Sequence, residues 1–206
     1  MQVIFIALAA LSAYLLGSIP FGVLISRLAR GVDIRREGTH NIGASNVLFV
    51  AGPGAGFIVL VLDVLKGALA AYIARVFIGT PSAIALAGLF AIIGHDWPVF
   101  LGFKGGKGVA TTAGVLCVID VRLYLFSLLL WLLFVLIIRY WVVATMLVYC
   151  FLPVLMWLTF KSGSYIMFAV FLAGITIFKH GDDLTRIYLG QEPTAAEWLS
   201  RLKKKA

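Results

Sequence analysis

The chain has 206 residues, 62% of them apolar and 13% charged, with a formal net charge of +8 and a mean hydropathy of +1.05. That balance excludes a soluble domain of this length and marks an integral membrane protein. The basic residues cluster beside apolar runs, where they fix orientation and meet anionic lipid, so the charge speaks for a membrane and against nucleic acid.

Residues 1–16 carry no charge, no basic n-region and no evident small-residue cleavage pattern, so they read as a true first helix and not as a signal peptide. At about 20 apolar residues per span, the pattern predicts an all-α polytopic bundle of about seven helices near 3–28, 55–79, 82–100, 108–119, 122–138, 140–160 and 164–179. The fourth is short: about 12 residues at 1.5 Å each reach about 18 Å, less than a bilayer core. Arg27, Arg30, Arg35, Arg36, Lys104, Lys107, Arg139 and the six basic residues after position 178 fall on one side, against Arg75, Arg122 and Lys161 on the other. The positive-inside rule then places the N-terminus outside and the C-terminus in the cytoplasm.

A single membrane-embedded domain over 1–206 is expected, with 192–206 as an amphipathic surface tail. Asp182 or Asp183 is placed to cap a short helix ending at Gly190, and Thr194-Ala-Ala-Glu197 has capping-box spacing for a second. In that second helix Trp198, Leu199 and Leu202 oppose Arg201 and Lys203 to Lys205, a pattern suited to the inner leaflet. Cys117 and Cys150 sit inside apolar runs without metal-ligand spacing and read as packing residues.

Gly94-His-Asp-Trp-Pro-Val-Phe-Leu-Gly-Phe-Lys-Gly-Gly-Lys-Gly-Val-Ala-Thr111 sets a histidine, two lysines and several glycines between two apolar segments. Glycines let backbone N–H groups turn toward an oxyanion, Lys104 and Lys107 supply positive charge, and the helix that follows adds its dipole. The stretch therefore suits phosphate, with Gly105, Gly106 and Gly108 as the cradle and His95 as an orienting, donating or proton-transferring group. It is not an ATP-binding P-loop, because Leu101 and Gly108 stand where that motif needs glycine and a hydroxyl.

Two further clusters fall on the same predicted side. Residues 33–46 carry Thr39, Asn41, Gly43, Ser45 and Asn46, groups suited to a phosphate or a polyol. His180, Asp183, Arg186 and Glu192 follow the last span, putting a base beside a cation. Within a span, Asp63 and Lys66 share a helix face at i and i+3, either as part of a site or as a structural ion pair.

These residues resemble one family over nearly the full chain: the bacterial acyl-phosphate:glycerol-3-phosphate acyltransferases, PlsY-like membrane enzymes of phospholipid synthesis. Three ordered blocks carry the likeness, Gly17–Gly22 leading to Gly38–Asn46, Gly94–Pro98 leading to Phe103–Thr111, and His180 through Arg186 to Glu192, with Asp63-Val-Leu-Lys-Gly67 between the first two. Thr39 and Ser45 stand where the family has serine and threonine, His40 where glycine is common, and Asp183 where asparagine is typical. The resemblance implies acyl transfer from acyl phosphate to the 1-hydroxyl of glycerol 3-phosphate, giving lysophosphatidic acid and phosphate, at the cytoplasmic face of the bacterial inner membrane. No cofactor or metal is implied, membrane lipid is the surrounding partner, and a monomer or weak oligomer is expected.

On this reading Lys104, Lys107 and His180 are catalytic. Ser18, Thr39, Asn41, Gly43, Ser45, Asn46, Asp63, Lys66, His95, Gly105, Gly106, Gly108, Thr111, Asp183, Arg186 and Glu192 line the substrates. An acyl phosphate is a mixed anhydride with a good leaving group, so no covalent intermediate is needed, and Ser18 and Ser45 have no partner base by spacing. The alternative is a transporter for a phosphorylated metabolite, which would place polar or broken helices at corresponding points of two repeats. A magnesium-dependent head-group transferase would want several carboxylates at helical spacing, and the chain offers Asp63 alone in a span, so activity is expected to survive excess chelator.

Overall fold

The structure, a computed structural model, describes residues 2–203, with side chains described through 200. Eleven α-helices occupy the described residues, and they fall in two compact units, Met1–Val121 and Arg122–Ala206. Five apolar stretches are long enough to cross a bilayer, and a sixth results if the bent pair near the C-terminus is one span.

In the first unit, α1 (Gln2–Gly17) and α2 (Phe21–Arg30) form one apolar stretch interrupted at residues 18–20. The sequence pattern predicts an unbroken helix over 3–28. Pro20 brings no N–H and restricts the residue before it, so the helical ladder stops and restarts. After a single 3-10 turn, Ile34–Arg36, comes α3 (Ala44–Ala51), an eight-residue helix inside what the pattern leaves as a loop. Ile34 and Ile42 anchor that segment in an apolar cluster with Val23, Val47, Ala51, Ala55 and Val59.

The long α4 (Pro53–Phe77) and α5 (Pro81–Asp96) follow, and α5 leads through a 3-10 turn at Val99–Leu101 into the glycine-lysine loop. α1 and α5 touch backbone to backbone: a Cβ on Gly17 would strike the Ala91 carbonyl, and one on Gly94 would strike the Tyr14 carbonyl. α4 and α6 (Val109–Ile119) approach equally closely, through Gly67 against Thr111 and Gly114 against Val64. Small residues permit this contact in a bilayer, where packing and not water exclusion drives helix association. With 11 residues, α6 spans only about 16 Å. Near its end the Val118 carbonyl accepts a hydrogen bond from Arg75 of α4 at 2.5 Å, which satisfies a group that apolar surroundings would leave stranded.

The second unit contains α7 (Val121–Ile138), α8 (Trp141–Phe160), α9 (Gly163–Lys179), α10 (Gly181–Tyr188) and α11 (Ala195–Lys203), with the first residue of α7 counted in the first unit. α10 bends 50° from α9. The capping box before α11 is formed: Thr194 N–H donates to Glu197 Oε2 at 2.8 Å and Glu197 N–H to Thr194 Oγ1 at 3.3 Å. This tail docks on its own unit. The Trp198 ring meets Trp141 edge-on at 5.6 Å, and Ala195 N–H donates to the Arg139 carbonyl at 2.8 Å. Trp198, expected to face lipid, is therefore turned toward α8. The side chains of Arg201, Leu202 and Lys203, and the lysines at 204 and 205, lie outside the described residues.

Candidate functional site

The first unit brings its polar groups together from four elements. Asp63 lies ten residues along α4, about 15 Å from that helix's first residue. Its Oδ1 is 2.8 Å from Lys66 Nζ, and both side chains are 2% exposed. His95, at the end of α5, turns Nδ1 toward the same carboxylate oxygen at 3.5 Å. Ser18 in the α1–α2 break lies against Gly94, the residue before that histidine. The Ser18, Thr111 and Thr112 hydroxyls are buried and accept or donate no hydrogen bond within the described protein. Such hydroxyls cost free energy unless something pairs with them.

The glycine-lysine loop folds back on α5. Gly106 N–H donates to the His95 carbonyl at 3.0 Å, and a Cβ on Gly106 would run into the His95 ring. Gly105 is pressed in the same way against the His95 carbonyl and Pro98. These two glycines thus let the loop lie flat on the helix end, and the Gly106 N–H, expected in an anion cradle, is used within the protein. Gly108 caps α6 in the left-handed region at φ 67°. A Cβ there would sit 3.0 and 3.4 Å from the two Asp96 carboxylate oxygens. The α6 N-terminus, expected to help hold phosphate, thus has the buried Asp96 carboxylate beside it. Lys104 is exposed and Lys107 half-buried beyond this wall.

Asn46, expected as a ligand, is engaged within the protein. It is 1% exposed, and its Nδ2 donates toward the carbonyls of Asn41 at 2.8 Å, Glu37 at 3.0 Å and Ile34 at 3.3 Å. Its Oδ1 accepts from Thr39 N–H at 3.0 Å. The amide is spent on shaping residues 34–46. Asn41 behaves similarly, its Oδ1 accepting from Gly43 N–H at 3.1 Å in a side-chain turn. Thr39 is exposed on the same loop, and Ser45 is exposed in the first turn of α3.

In the second unit His180 caps α10, 4% exposed. Its Nδ1 lies 3.2 Å from the Thr176 carbonyl. A carbonyl only accepts, so Nδ1 carries the proton and the neutral ring keeps its lone pair on Nε2. Neither aspartate caps α10 through its side chain. Asp183 is buried within the first turn and pairs with Arg186, which also binds Glu192 at 2.8 Å.

A glycerol-3-phosphate acyltransferase family model matches residues 7–190. A glycerol-3-phosphate acyltransferase of Carboxydothermus hydrogenoformans is 42% identical over 91% of this chain and 95% of its own length. That of Jannaschia sp. is 41% identical over 91% of this chain and 92% of its own. The crystal structure of PlsY (YgiH), an integral membrane glycerol 3-phosphate acyltransferase, in its glycerol 3-phosphate form superposes with a TM-score of 0.85 at 36% identity, covering 92% of this chain and 94% of that one. Its lysophosphatidic acid form gives 0.85 at 35%, covering 94% and 98%. The chain belongs to the glycerol-3-phosphate acyltransferase family. It is a membrane-integral acyltransferase, and the transport alternative gives way to that membership.

Seen as an acyltransferase, its departures from the family pattern acquire physical content. His40, where the resemblance leads one to expect glycine, has a left-handed backbone at φ 59°, a conformation that strains a residue with a Cβ. Asp183 brings a carboxylate where the resemblance leads one to expect asparagine, and the Arg186 guanidinium stands against it. Asp96 is the residue that sequence reasoning passed over. It is fully buried, yet an acid beside a histidine in Gly94-His-Asp-Trp-Pro98 reads equally well as an interfacial polar group.

Proposed function

We propose that this acyltransferase takes its acyl group from an acyl phosphate and delivers it to the 1-hydroxyl of sn-glycerol 3-phosphate, releasing 1-acyl-glycerol 3-phosphate and inorganic phosphate. One observation carries the reading: Lys104 and Lys107 stand on a loop packed against His95 and Asp96, beside a helix that offers the buried Thr111 hydroxyl. Both substrates bring phosphate, and fixed lysines stabilise charge on phosphate and on the developing oxyanion. The PlsY relative was captured with glycerol 3-phosphate and, separately, with lysophosphatidic acid, the acceptor and the acylated product of such a reaction.

The acceptor's 1-oxygen attacks the acyl carbonyl carbon, the carbon–oxygen bond to phosphorus breaks, and phosphate leaves with the bonding pair. The hydroxyl proton goes to a base: His180 Nε2, or a substrate phosphate whose second pKa near 6 suits neutral pH. The protein's main contribution is proximity and charge, because the mixed anhydride already carries a good leaving group. The basic loops and the C-terminus face the cytoplasm in a bacterial inner membrane, and the N-terminus lies outside, by the charge bias of the loops.

Purified protein in detergent, given glycerol 3-phosphate with acyl phosphate, acyl-CoA or acyl carrier protein in turn, tests the donor. Monoacylated product from acyl phosphate alone is expected. Equal or better turnover with a thioester would overturn the assignment.

A further inference from the structure

Burying Asp63 and Lys66 in a membrane helix is costly, and a pair of apolar residues would pack there at no such cost. The pair is tied to two other elements. Lys66 Nζ holds Asp63 at 2.8 Å and also donates to the Ile19 carbonyl at 3.0 Å, a group the α1–α2 break takes out of the helical ladder. The same ammonium sits 5.6 Å from the centre of the Phe21 ring. Asp63 in turn faces His95 Nδ1 at 3.5 Å. On the other edge of that imidazole, Nε2 is the atom nearest to where a Cβ on Gly106 would stand. The ring is therefore bracketed, with a carboxylate at Nδ1 and the glycine-lysine loop at Nε2. Asp96, the other buried carboxylate nearby, lies beside Gly108.

A carboxylate next to Nδ1 stabilises the tautomer with its proton there, and the lone pair of the neutral ring then resides on Nε2. We propose that Asp63, steadied by Lys66, is a positioning residue that sets the His95 tautomer and turns Nε2 toward the Lys104–Lys107 loop. Lys66 locks the same carboxylate to the α1–α2 break, so the break, the histidine and the loop keep one register. The consequence for turnover rests on the function proposed above; the tautomer does not.

The test is nitrogen NMR of the full chain in detergent with 15N-labelled histidine, at a pH where the rings are neutral. The chain has three histidines, and the His95 signals are assigned by His95→Gln. In the wild type, His95 Nδ1 should show the shift of a protonated ring nitrogen and Nε2 that of a bare one. Asp63→Asn should move the population toward the Nε2-protonated form and lower kcat by about tenfold or more, with KM for glycerol 3-phosphate within about threefold. A wild-type ring protonated on Nε2 overturns the proposal even if the variant fails to fold. So do unchanged His95 shifts in Asp63→Asn. The expected spectrum together with no transfer from acyl phosphate would sink the donor assignment and leave the tautomer standing.

Discussion

Replacing Asn46 with alanine separates a residue that builds the loop from one that touches substrate. The amide donates two hydrogens, shared among three carbonyls, and accepts one bond from Thr39 N–H. Each is worth about 1 kcal/mol net, giving roughly 3 kcal/mol, and water at the exposed Glu37 and Thr39 returns part of that, leaving about 2–3 kcal/mol. A loss of that size in the free energy of opening the 34–46 segment raises the open population roughly 30- to 150-fold. Arg35 and Arg36 are exposed within it, so trypsin cleavage at these sites reads the change directly when opening is fast relative to cutting. The expected outcome for Asn46→Ala is cleavage faster by that factor. Cleavage within threefold of wild type, with a raised KM for glycerol 3-phosphate, would refute the structural role and restore Asn46 as a ligand.

Lys104→Ala and Lys107→Ala should each abolish acyl transfer while the protein still inserts and elutes as a folded species from gel filtration; near-normal turnover in both would remove the lysines from the mechanism. In His180→Ala, a pH profile of kcat that keeps most of the wild-type rate would exclude histidine as the obligatory base; a loss of 10²-fold or more is expected if it serves. His40→Gly should raise stability by about 0.5–1 kcal/mol, because the left-handed conformation at this position costs glycine little and its greater chain entropy offsets part of the gain; thermal unfolding in detergent measures it. Asp33 is held well below the usual carboxylate range, chiefly by its hydrogen bond to Arg35, with Arg27 adding to it. A depressed carboxylate contributes stability above its unfolded pKa and loses it as pH falls toward the folded value. The stability gap between wild type and Asp33→Asn should therefore be constant from pH 5 to 8 and close below about pH 4.

Hydrophobic run length marked out five of the seven expected spans because a bilayer demands it; 164–179 reaches span length only together with α10, and 108–119 is a helix, Val109–Ile119, too short to cross. The α1–α2 break was hidden because its flanks are as apolar as any span, so only the Gly17-Ser-Ile-Pro20 composition could betray it. α3 was hidden for a different reason: eight residues are too few for periodicity to declare itself. Motif chemistry identified Asp63, Lys66 and His95 as polar groups at depth, but spacing along one helix cannot reveal that a carboxylate on α4 meets an imidazole on α5. The glycines of the lysine loop were legible as a demand for bare backbone. Which surface made the demand was not, since a phosphate and the end of α5 require the same absence of Cβ.

The docking of Trp198 on Trp141, itself 5.5 Å from Trp131, gives this chain a built-in optical reporter. Three of its five indoles form a contiguous array, so detachment of the last helix would hydrate them and shift the intrinsic emission to the red. A chain cut short at 192 would expose the Trp141 face and the Arg139 carbonyl to whatever surrounds it.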